Sequence, residues 1–382
     1  MSAADCVLFA EYTAANGYRI ATATLNSERT LNALTLEMIR ALSTQLARWQ
    51  DDPRVALVVL SGSGERAFCA GGDVRALYRA LTETPAPCPH PYAETYFSEE
   101  YALDYLIHTY RKPVLVWGRG IVMGGGLGLL AGASHRVVTP STRMAMPEVS
   151  IGLFPDVGGS WFLNRMPGRV GLFLGLTGAP LNAADCLYVG LADYALEDGA
   201  LPGLMAALCA CDWQDGAAAN GAQLDALLQG MADQAKESLP PAQVEPHFAR
   251  IEALTAYPTL AAVHEAVLGA QGDASPWLAD AAGKLAAGCP TTAALVWETL
   301  RRARELSLAD VLRMELVLAL RCCANGNFSE GVRALLVDKD NAPVWQPPTL
   351  DRVDPGWIAS HFEAPWPRSP LAALGERTKE TA

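Results

Sequence analysis

The sequence has few basic residues and lacks the motifs that mark several large enzyme classes. Its 382 residues include 29 Lys and Arg against 41 Asp and Glu, a net charge of −12, with no basic cluster. Because nucleic-acid binding requires a basic surface that neutralises phosphates, we expect no nucleic-acid partner. No Gly-x-Ser-x-Gly segment occurs, and the six histidines never pair at metal-ligand spacing. Neither a Ser-His-Asp hydrolase nor a metal site is therefore predicted.

The sequence also shows no regular cysteine spacing, no expected leader segment and no expected membrane span. The nine Cys are scattered without a CxxC pair, which favours reduced thiols in the cytoplasm. The first residues lack a basic stretch followed by an apolar one, so no signal peptide is expected. The most apolar stretch has an uncharged part, 120–134, of 15 residues, too short to cross a bilayer. We therefore predict a cytoplasmic protein without a membrane partner.

The first 200 residues alternate strand-like and helix-like segments, and 51% of the whole chain is hydrophobic. A run such as 55–60, apolar at every position, is typical of a strand covered on both faces. Helices are expected from Thr35, Asp73 and about Gly125, and a hairpin bends at Asn16-Gly17. This alternation indicates a layered α/β core. Strands are predicted at 7–12, 18–25, 55–60, 114–117 and 136–139.

From about residue 165 the pattern becomes helical, since runs of β-branched residues nearly vanish. We place a boundary near residue 200, which divides the chain into an α/β core, 1–200, and a helical extension, 201–382, packed on that core. Pro365, Pro367 and Pro370 suggest a frayed tail. Helices are predicted at 167–176, with Pro167 in the first turn, and at 182–189, 201–211, 223–238, 291–304 and 308–323.

Two glycine turns are candidates for holding a ligand through the backbone. In Ala67-Phe-Cys-Ala-Gly-Gly-Asp73 a strand ends, two glycines turn the chain, and a helix begins. Such a turn leaves N–H groups free to bind an anion or a polarised carbonyl. An ordinary strand-to-helix connection capped by Asp73 is the alternative, and it is the more common use of loop glycines.

The second turn, Gly118-Arg-Gly-Ile-Val-Met-Gly-Gly-Gly-Leu-Gly128, allows close approach of a ligand in the same way. Its Gly126-x-Gly128-x-x-Ala131 also matches a dinucleotide fingerprint formally, with Glu148 20 residues further on. This leaves a nicotinamide-dependent oxidoreductase as an alternative. Two features argue against this alternative. In a dinucleotide-binding fold the glycines directly follow a strand and the acidic residue ends the next strand, and neither holds for these glycines and Glu148.

Two carboxylates, Glu148 and Asp156, lie among apolar residues in the segment 146–159. A carboxylate in a desolvated pocket tends to a raised pKa and can act as acid, base or nucleophile. Placement in a surface loop, or as a helix cap, is equally compatible with the sequence. Cys69 and His135 are interpreted as packed, structural residues.

Together these segments resemble the crotonase (enoyl-CoA hydratase/isomerase) superfamily, on Leu31-Asn-Ala-Leu-Thr35, the two glycine turns and Met146-Pro-Glu148. Further segments resemble the 3-hydroxyisobutyryl-CoA hydrolase branch of this superfamily: Phe97-Ser-Glu-Glu-Tyr101, the segment 145–159, Leu176-Thr-Gly178 and the segment 330–340. The resemblance covers nearly the whole chain. It implies a spiral of repeated β-β-α units with a helical C-terminal region.

The resemblance also implies a set of site residues. The thioester carbonyl would be held by the backbone N–H groups of Gly72 and Gly125. Glu148 matches the catalytic glutamate, Asp156 a second acid, and Glu100 an acidic substrate contact. Coenzyme A is part of the substrate, and no metal or other cofactor is expected. Arg29 is a candidate contact for a coenzyme A phosphate, although the Arg/Lys-Pro that often precedes the Asn-Ala-Leu segment is missing.

One departure from the hydratase pattern points to a function. Hydratases carry a glutamate two residues after the three glycines, where this chain has Gly128, and a glycine where this chain has Asp156. Loss of the second acid removes a proton-handling group for hydration. The combination implies hydrolysis of a short β-hydroxyacyl-CoA, with 3-hydroxyisobutyryl-CoA of valine breakdown as the expected substrate.

Three other functions stay open at this stage: an enoyl-CoA isomerase or hydratase-type enzyme using Glu148, a non-enzymatic acyl-CoA binder, and the oxidoreductase above. Whether Glu148 is nucleophile or general base is undecided. The family commonly forms trimers, so a homo-oligomer is a further expectation, which the extension can mask.

Overall fold

The computed structural model describes residues 6–376 and contains two β-sheets surrounded by helices. The strands are β1 Val7–Thr13, β2 Arg19–Leu25, β3 Val55–Gly62, β4 Ala67–Cys69, β5 Val114–Gly118, β6 Ile121–Met123, β7 His135–Val138, β8 Arg143–Ala145, β9 Leu181–Asn182 and β10 Tyr194–Ala195. The helices are α1 Leu36–Asp51, α2 Val74–Glu83, α3 Pro91–His108, α4 Gly125–Ala131, α5 Gly159–Leu163, α6 Val170–Thr177, α7 Ala183–Tyr188, α8 Leu201–Ala210, α9 Ala217–Ala232, α10 Val244–Thr255, α11 Leu260–Leu268, α12 Pro276–Ala287, α13 Pro290–Ala303, α14 Leu308–Ala324, α15 Asn327–Val332 and α16 Pro355–Ser360.

From β3 onwards, successive strand pairs each give one strand to each sheet. The larger sheet has the order β1-β2-β3-β5-β7-β10, and the smaller one the order β4-β6-β8-β9. The pairings β3–β5, β5–β7, β4–β6 and β6–β8 are all parallel. The pairs β3/β4, β5/β6 and β7/β8 are thus repeated turns of one spiral, as the resemblance predicted.

The local signals read from the sequence explain the first elements. Thr35 caps α1 by accepting a hydrogen bond from the Met38 N–H, and Asp73 caps α2 by accepting one from the Ala76 N–H. An oxygen-bearing side chain at this position satisfies one of the unpaired N–H groups of the first turn. All of β3 except its last residue is buried, as expected for a strand covered on both faces. The predicted hairpin, strands and helix starts of this region are confirmed.

The helices after residue 200 pack on the α/β part rather than apart from it. Helix α14 lies against α3, and α13 lies against α5 and α6. Buried side chains from both parts, such as Val116, Phe173 and Leu316, belong to one hydrophobic cluster. The division at residue 200 remains a prediction, but the extension does pack on the core.

Two sequence predictions need correction in the helical region that begins near residue 165. Pro167 is not in the first turn of a helix, because Gly168 adopts φ +54° and α6 begins only at Val170. The helix expected at 223–238 is α9, which begins at Ala217 and ends at Ala232, followed by a 3-10 segment, Asp233–Ser238.

The proline-rich tail is held in place as far as residue 376. The Arg313 guanidinium donates to the carbonyls of Leu371, Ala372 and Leu374, and Leu371 is buried. The expectation of a frayed tail is therefore wrong for this stretch, because the partly buried Arg313 side chain binds three of its carbonyls. Residues 377–382 of the predicted tail lie outside the described residues.

No helix within residues 6–376 combines the length and the apolar character needed to cross a membrane.

Candidate active site

The two glycine turns are brought together by the smaller sheet. Strands β4 and β6 are parallel neighbours, so the turns that follow them leave the same edge of the sheet. Gly71 has φ +113° and Gly124 φ +47°, a region that side-chain-bearing residues rarely adopt. A Cβ built on Gly125 would lie 3.4 Å from the Gly72 amide nitrogen. The backbones at Gly72 and Gly125 are therefore neighbours, with room between them for no more than a small group.

Neither of these two amides takes part in a regular hydrogen-bond ladder. Leu34 pairs across the first turn by donating its N–H to the Gly71 carbonyl and accepting from the Asp73 N–H, which leaves the Gly72 N–H unused. The Gly125 N–H opens α4 and has no carbonyl of a preceding turn to bind. Within residues 6–376 neither N–H donates to another group. Two adjacent unused donors can stabilise negative charge on one oxygen.

Glu148 lies beside these turns, in the first position of a short 3-10 segment, Glu148–Ser150. The side chain is 4% exposed, and its Oε2 has no hydrogen-bond partner among the described residues. A Cβ built on Gly124 would lie 3.2 Å from Oε1. Burial raises the pKa of the Glu148 carboxyl well above its ordinary value, and the Asp156 charge raises it further. A raised pKa makes the ionised form a stronger base and nucleophile.

Asp156 is the second buried acid, and it is held by a side chain from α3. The Tyr101 hydroxyl donates to its Oδ2 at 2.7 Å. Burial raises the pKa of Asp156 to about 6, against the lowering effect of the Tyr101 hydrogen bond. Neither Glu148 nor Asp156 lies in a surface loop or caps a helix with its side chain, so the alternative interpretation of these residues is wrong.

Helix α3 adds two further carboxyls to the site. Glu100 is 2% exposed, and its Oε1 lies where a side chain on Gly125 would project. One turn later, Asp104 is buried with both oxygens unpartnered among the described residues. Burial, together with the charges of neighbouring acids, raises the pKa of both groups well above their ordinary values. Asp104 was not predicted from the sequence, because α3 itself was not predicted.

A fifth acid, Glu315, reaches the site from α14 and was also missed. It is completely buried and accepts hydrogen bonds from the Gly158 N–H and from Ser160. The sequence feature that could have revealed Glu315 is its position in α14, where the buried Leu312 and Leu318 lie on the same face of the helix. A carboxylate in an apolar stripe is seldom without a purpose.

The five buried carboxyls make stability depend on pH. None of them forms an ion pair with Lys or Arg in the described part of the chain. Burial raises the pKa of Glu315 to about 8 and that of Asp156 to about 6, whereas unfolded carboxyls titrate near 4. Between these values the folded state binds more protons than the unfolded state, so the free energy of unfolding falls as pH rises.

We expect the free energy of unfolding to be about 2 kcal/mol lower at pH 8 than at pH 5. Burial lowers the pKa of His108, His264 and His361, which offsets part of the effect of the carboxyls. Urea unfolding at the two pH values measures this difference. In Glu315→Gln the difference should shrink, because one group with a raised pKa no longer titrates. Equal stability at both pH values would contradict the buried, cation-free placement of these acids.

Gly128 stands where hydratases carry a glutamate, and its surroundings leave no space for a larger side chain. It lies inside α4, and a Cβ built there would be 2.6 Å from Cβ of Val157 and 3.0 Å from Oδ1 of Asp104. The space into which a glutamate would extend is thus filled by residues from α3 and from the Asp156 loop. The departure from the hydratase pattern is built into the packing around position 128.

Gly128→Ala is therefore expected to lower the free energy of unfolding by about 1–3 kcal/mol, because the added methyl overpacks this contact. The matched control is Gly230→Ala in α9, where nothing lies within 4 Å of the added carbon. That change should stabilise the protein by about 0.5–1 kcal/mol, since alanine is the better helix former. Equal effects of both changes in urea unfolding would show that the space at Gly128 is not filled.

The remaining candidates have different placements. Arg29 is exposed in the 3-10 turn Glu28–Thr30, two residues before Leu31, whose carbonyl accepts from the Ala70 N–H. It is therefore near the first glycine turn, and its phosphate contact stays a prediction. Cys69 is fully buried, and burial raises its pKa to about 12. His135 is buried next to Ser134 and Asp225, as expected for a structural residue.

The formal dinucleotide fingerprint does not form a phosphate-binding turn. Gly126 and Gly128 lie within α4, and a Cβ on Gly126 would meet the backbone and side chain of Cys69. These glycines therefore allow close packing of α4. No group of three or more His, Cys, Asp or Glu side chains in the stretch 6–376 is arranged to hold a metal ion.

The chain is similar to one family model and to several known proteins. The family model for enoyl-CoA hydratase/isomerase matches residues 20–362. The mitochondrial 3-hydroxyisobutyryl-CoA hydrolase of Gallus gallus is 38% identical over 342 residues, which cover 89% of this chain and 85% of that protein. A crystal structure of a carnitinyl-CoA dehydratase from Mycobacterium thermoresistibile has a TM-score of 0.82 at 33% identity and covers 97% of this chain and 99% of that one.

A second crystal structure, of an enoyl-CoA hydratase from Rhodobacter sphaeroides 2.4.1, has a TM-score of 0.78 at 31% identity and covers 94% of this chain and 97% of that one. The two structures therefore span the helical extension as well as the spiral core. The site residues carried by the sequence motifs all lie within the matched range 20–362. The chain belongs to the enoyl-CoA hydratase/isomerase family, in its 3-hydroxyisobutyryl-CoA hydrolase branch.

Proposed function

We propose that this protein hydrolyses the thioester of a short β-hydroxyacyl-CoA to the free hydroxy acid and coenzyme A, with 3-hydroxyisobutyryl-CoA of valine breakdown as the expected substrate. The observation that carries the proposal is the buried Glu148 carboxyl, whose Oε2 is unpartnered among the described residues, beside two adjacent backbone amides with unused N–H groups. The similarity to 3-hydroxyisobutyryl-CoA hydrolases supports the choice of substrate class.

In this proposal the Gly72 and Gly125 N–H groups bind the thioester oxygen. Negative charge develops on that oxygen when the carbonyl carbon is attacked, and preorganised amides stabilise this charge. Because these donors belong to the backbone, they need no rearrangement during the reaction. The two amides thus activate the carbonyl, and the chemistry then requires an attacking group.

Two roles for Glu148 satisfy the geometry. As a nucleophile, its carboxylate attacks the carbonyl carbon, the C–S bond breaks, and coenzyme A leaves as a thiolate that takes up a proton; water then hydrolyses the mixed anhydride. As a general base, Glu148 removes a proton from water, whose oxygen attacks the carbonyl directly. Both routes consume one water and release one thiol, and neither calls for a metal or cofactor.

Asp156 and Glu100 complete the proposed site. Asp156, held by the Tyr101 hydroxyl, would orient the substrate hydroxyl or the attacking water. Glu100 beside Gly125 would contact the substrate near the same amides. The net charge of −12 does not attract the coenzyme A phosphates, so local cations must bind them, and Arg29 is the candidate from the sequence.

The second candidate function is hydration or isomerisation of an enoyl-CoA. The two solved relatives are named as a carnitinyl-CoA dehydratase and an enoyl-CoA hydratase, and an isomerase can work with one glutamate. Against hydration, Gly128 offers no second acid and no space for one. A non-enzymatic acyl-CoA binder would release no product at all.

Release of free thiol, followed with a chromogenic disulfide, distinguishes these functions. The substrates are 3-hydroxyisobutyryl-, 3-hydroxypropionyl-, 3-hydroxybutyryl- and crotonyl-CoA. A hydrolase releases coenzyme A from the hydroxyacyl thioesters, whereas a hydratase or isomerase changes the acyl group without releasing thiol. Absence of thiol release from every hydroxyacyl-CoA would refute the proposal.

A cytoplasmic location and a homo-oligomer are kept as proposals from the sequence. The scattered cysteines without a CxxC pair support the first, whereas the relative from Gallus gallus is named as mitochondrial. Size-exclusion chromatography with light scattering measures the second directly.

A further inference from the structure

Glu315 joins the C-terminal helices to the loop that carries Asp156. Its Oε2 accepts a hydrogen bond from the Gly158 N–H at 2.7 Å. Its Oε1 accepts one from the Ser160 N–H at 2.9 Å and another from the Ser160 hydroxyl at 2.6 Å. The side chain is completely buried in α14. One carboxylate thus satisfies three donors from a segment 155–157 residues away in the sequence.

The loop that Glu315 binds has an unfavourable backbone conformation. Val157 has φ +52° and Gly158 φ +84°, so two successive residues are left-handed. For a β-branched residue such as Val157 this conformation is unfavourable and persists only when the surroundings hold it. The buried Glu315 carboxyl binds donors of Gly158 and Ser160, the residues that follow Val157. These contacts therefore stabilise the turn.

This turn determines where the Asp156 carboxylate points. The Asp156 carbonyl accepts from the Gly159 N–H at 2.6 Å, so its backbone is part of the same turn. Its side chain has one hydrogen bond from another side chain in the described structure, that of Tyr101. Asp156 is thus fixed on one side by Tyr101 and on the other by the turn that Glu315 holds.

We propose that Glu315 is a positioning residue for Asp156: by binding the Gly158 and Ser160 donors it holds the left-handed turn that directs the Asp156 carboxylate into the site. The proposal rests on the proposed hydrolase function. It makes the C-terminal helices part of the active site, because α14 supplies a group without which an acid of the core is misplaced.

A double-mutant cycle tests this proposal. Glu315→Gln keeps the shape and an acceptor for Ser160, but sets an amide N–H₂ against the Gly158 N–H. With 3-hydroxyisobutyryl-CoA we expect kcat to fall about 10- to 100-fold, as for small misplacements of catalytic groups, with KM changed less than about 3-fold. In an Asp156→Asn background the same change should cost less than about 3-fold, since residues that act through one another are not additive.

Two further variants make the result decisive. Ser160→Ala removes one of the three hydrogen bonds and should give a smaller fall in kcat, which covers the case in which Glu315→Gln folds poorly. Leu320 lies on the same helix and is buried beside the cavity near Cys88. Leu320→Ala is the control for a loss of stability in α14, and it should leave kcat unchanged. Should Asp156→Asn show no turnover, Tyr101→Phe is the background, and coupling with Glu315→Gln is again expected.

Equal fold-losses from Glu315→Gln in both backgrounds would overturn the positioning role and indicate a purely structural one, as would a wild-type kcat. These outcomes leave the proposed function intact, because the wild-type enzyme still releases thiol. A wild-type enzyme that releases no thiol from any hydroxyacyl-CoA overturns the proposed function and this proposal together.

Discussion

Replacing Glu148 by glutamine should lower kcat for thioester hydrolysis by about 10³-fold or more, whether the residue is nucleophile or base. The amide has nearly the same shape but neither attacks a carbonyl nor takes a proton from water. Because the change removes a buried carboxyl whose pKa is raised, folding should not suffer. Thiol release gives kcat, and calorimetric titration with coenzyme A should show a Kd within about 3-fold of the wild-type value.

The matched control is Glu305→Gln, the same chemical change at an exposed position between α13 and α14. It should leave kcat and Kd unaltered. Retention of most turnover in Glu148→Gln would remove Glu148 from the mechanism. Loss of coenzyme A binding in that variant would instead indicate that Glu148 shapes the binding site.

Replacing Asp156 by asparagine should lower kcat about 10²-fold, in the range lost with a proton-handling or orienting group. The Tyr101 hydroxyl can still donate to the remaining side-chain oxygen, so the loop should keep its structure. A neutral amide is also less costly to bury than a carboxylate whose pKa burial has raised to about 6. The melting temperature should therefore stay at or above the wild-type value.

Steady-state kinetics and thermal unfolding of the same preparation separate the two roles of Asp156. A variant that melts several degrees lower, with kcat reduced only in proportion to the folded fraction, would assign the residue to folding. Comparison of 3-hydroxyisobutyryl-CoA with isobutyryl-CoA adds a second test. If Asp156 orients the substrate hydroxyl, the variant loses more activity on the hydroxylated thioester.

The part of the site that lies close together in the sequence was predictable. Glycine pairs after apolar strands indicate turns with unused N–H groups, and Glu148 stands in an apolar segment, so both signals are local. The neighbouring placement of Gly72 and Gly125 followed from the family resemblance, since residue spacing alone does not tell which strands pair. Strands of three residues, such as β4 and β6, are too short to show an alternating pattern.

The acids missed from the sequence were missed for two different reasons. Asp104 lies on α3, whose buried positions include the polar residues Glu100 and Tyr101, so no apolar stripe marks the helix. Glu315 lies on a helix that was predicted, but its partners are backbone amides more than 150 residues away. Tertiary hydrogen bonds of this kind have no periodic signature, and only the folded chain reveals them.

The pairing of β4 with β6 has a consequence for how enzymes of this shape can change. Main-chain register places the two amides, with Ala67 opposite Ile121 and Cys69 opposite Val122, and the glycines at 71 and 124 form the turns that expose them. Under the proposed function, a substitution elsewhere in the site changes the attacking or orienting side chain and leaves both amides in place. Chemical versatility then comes from the side chains that surround a contact made by the backbone.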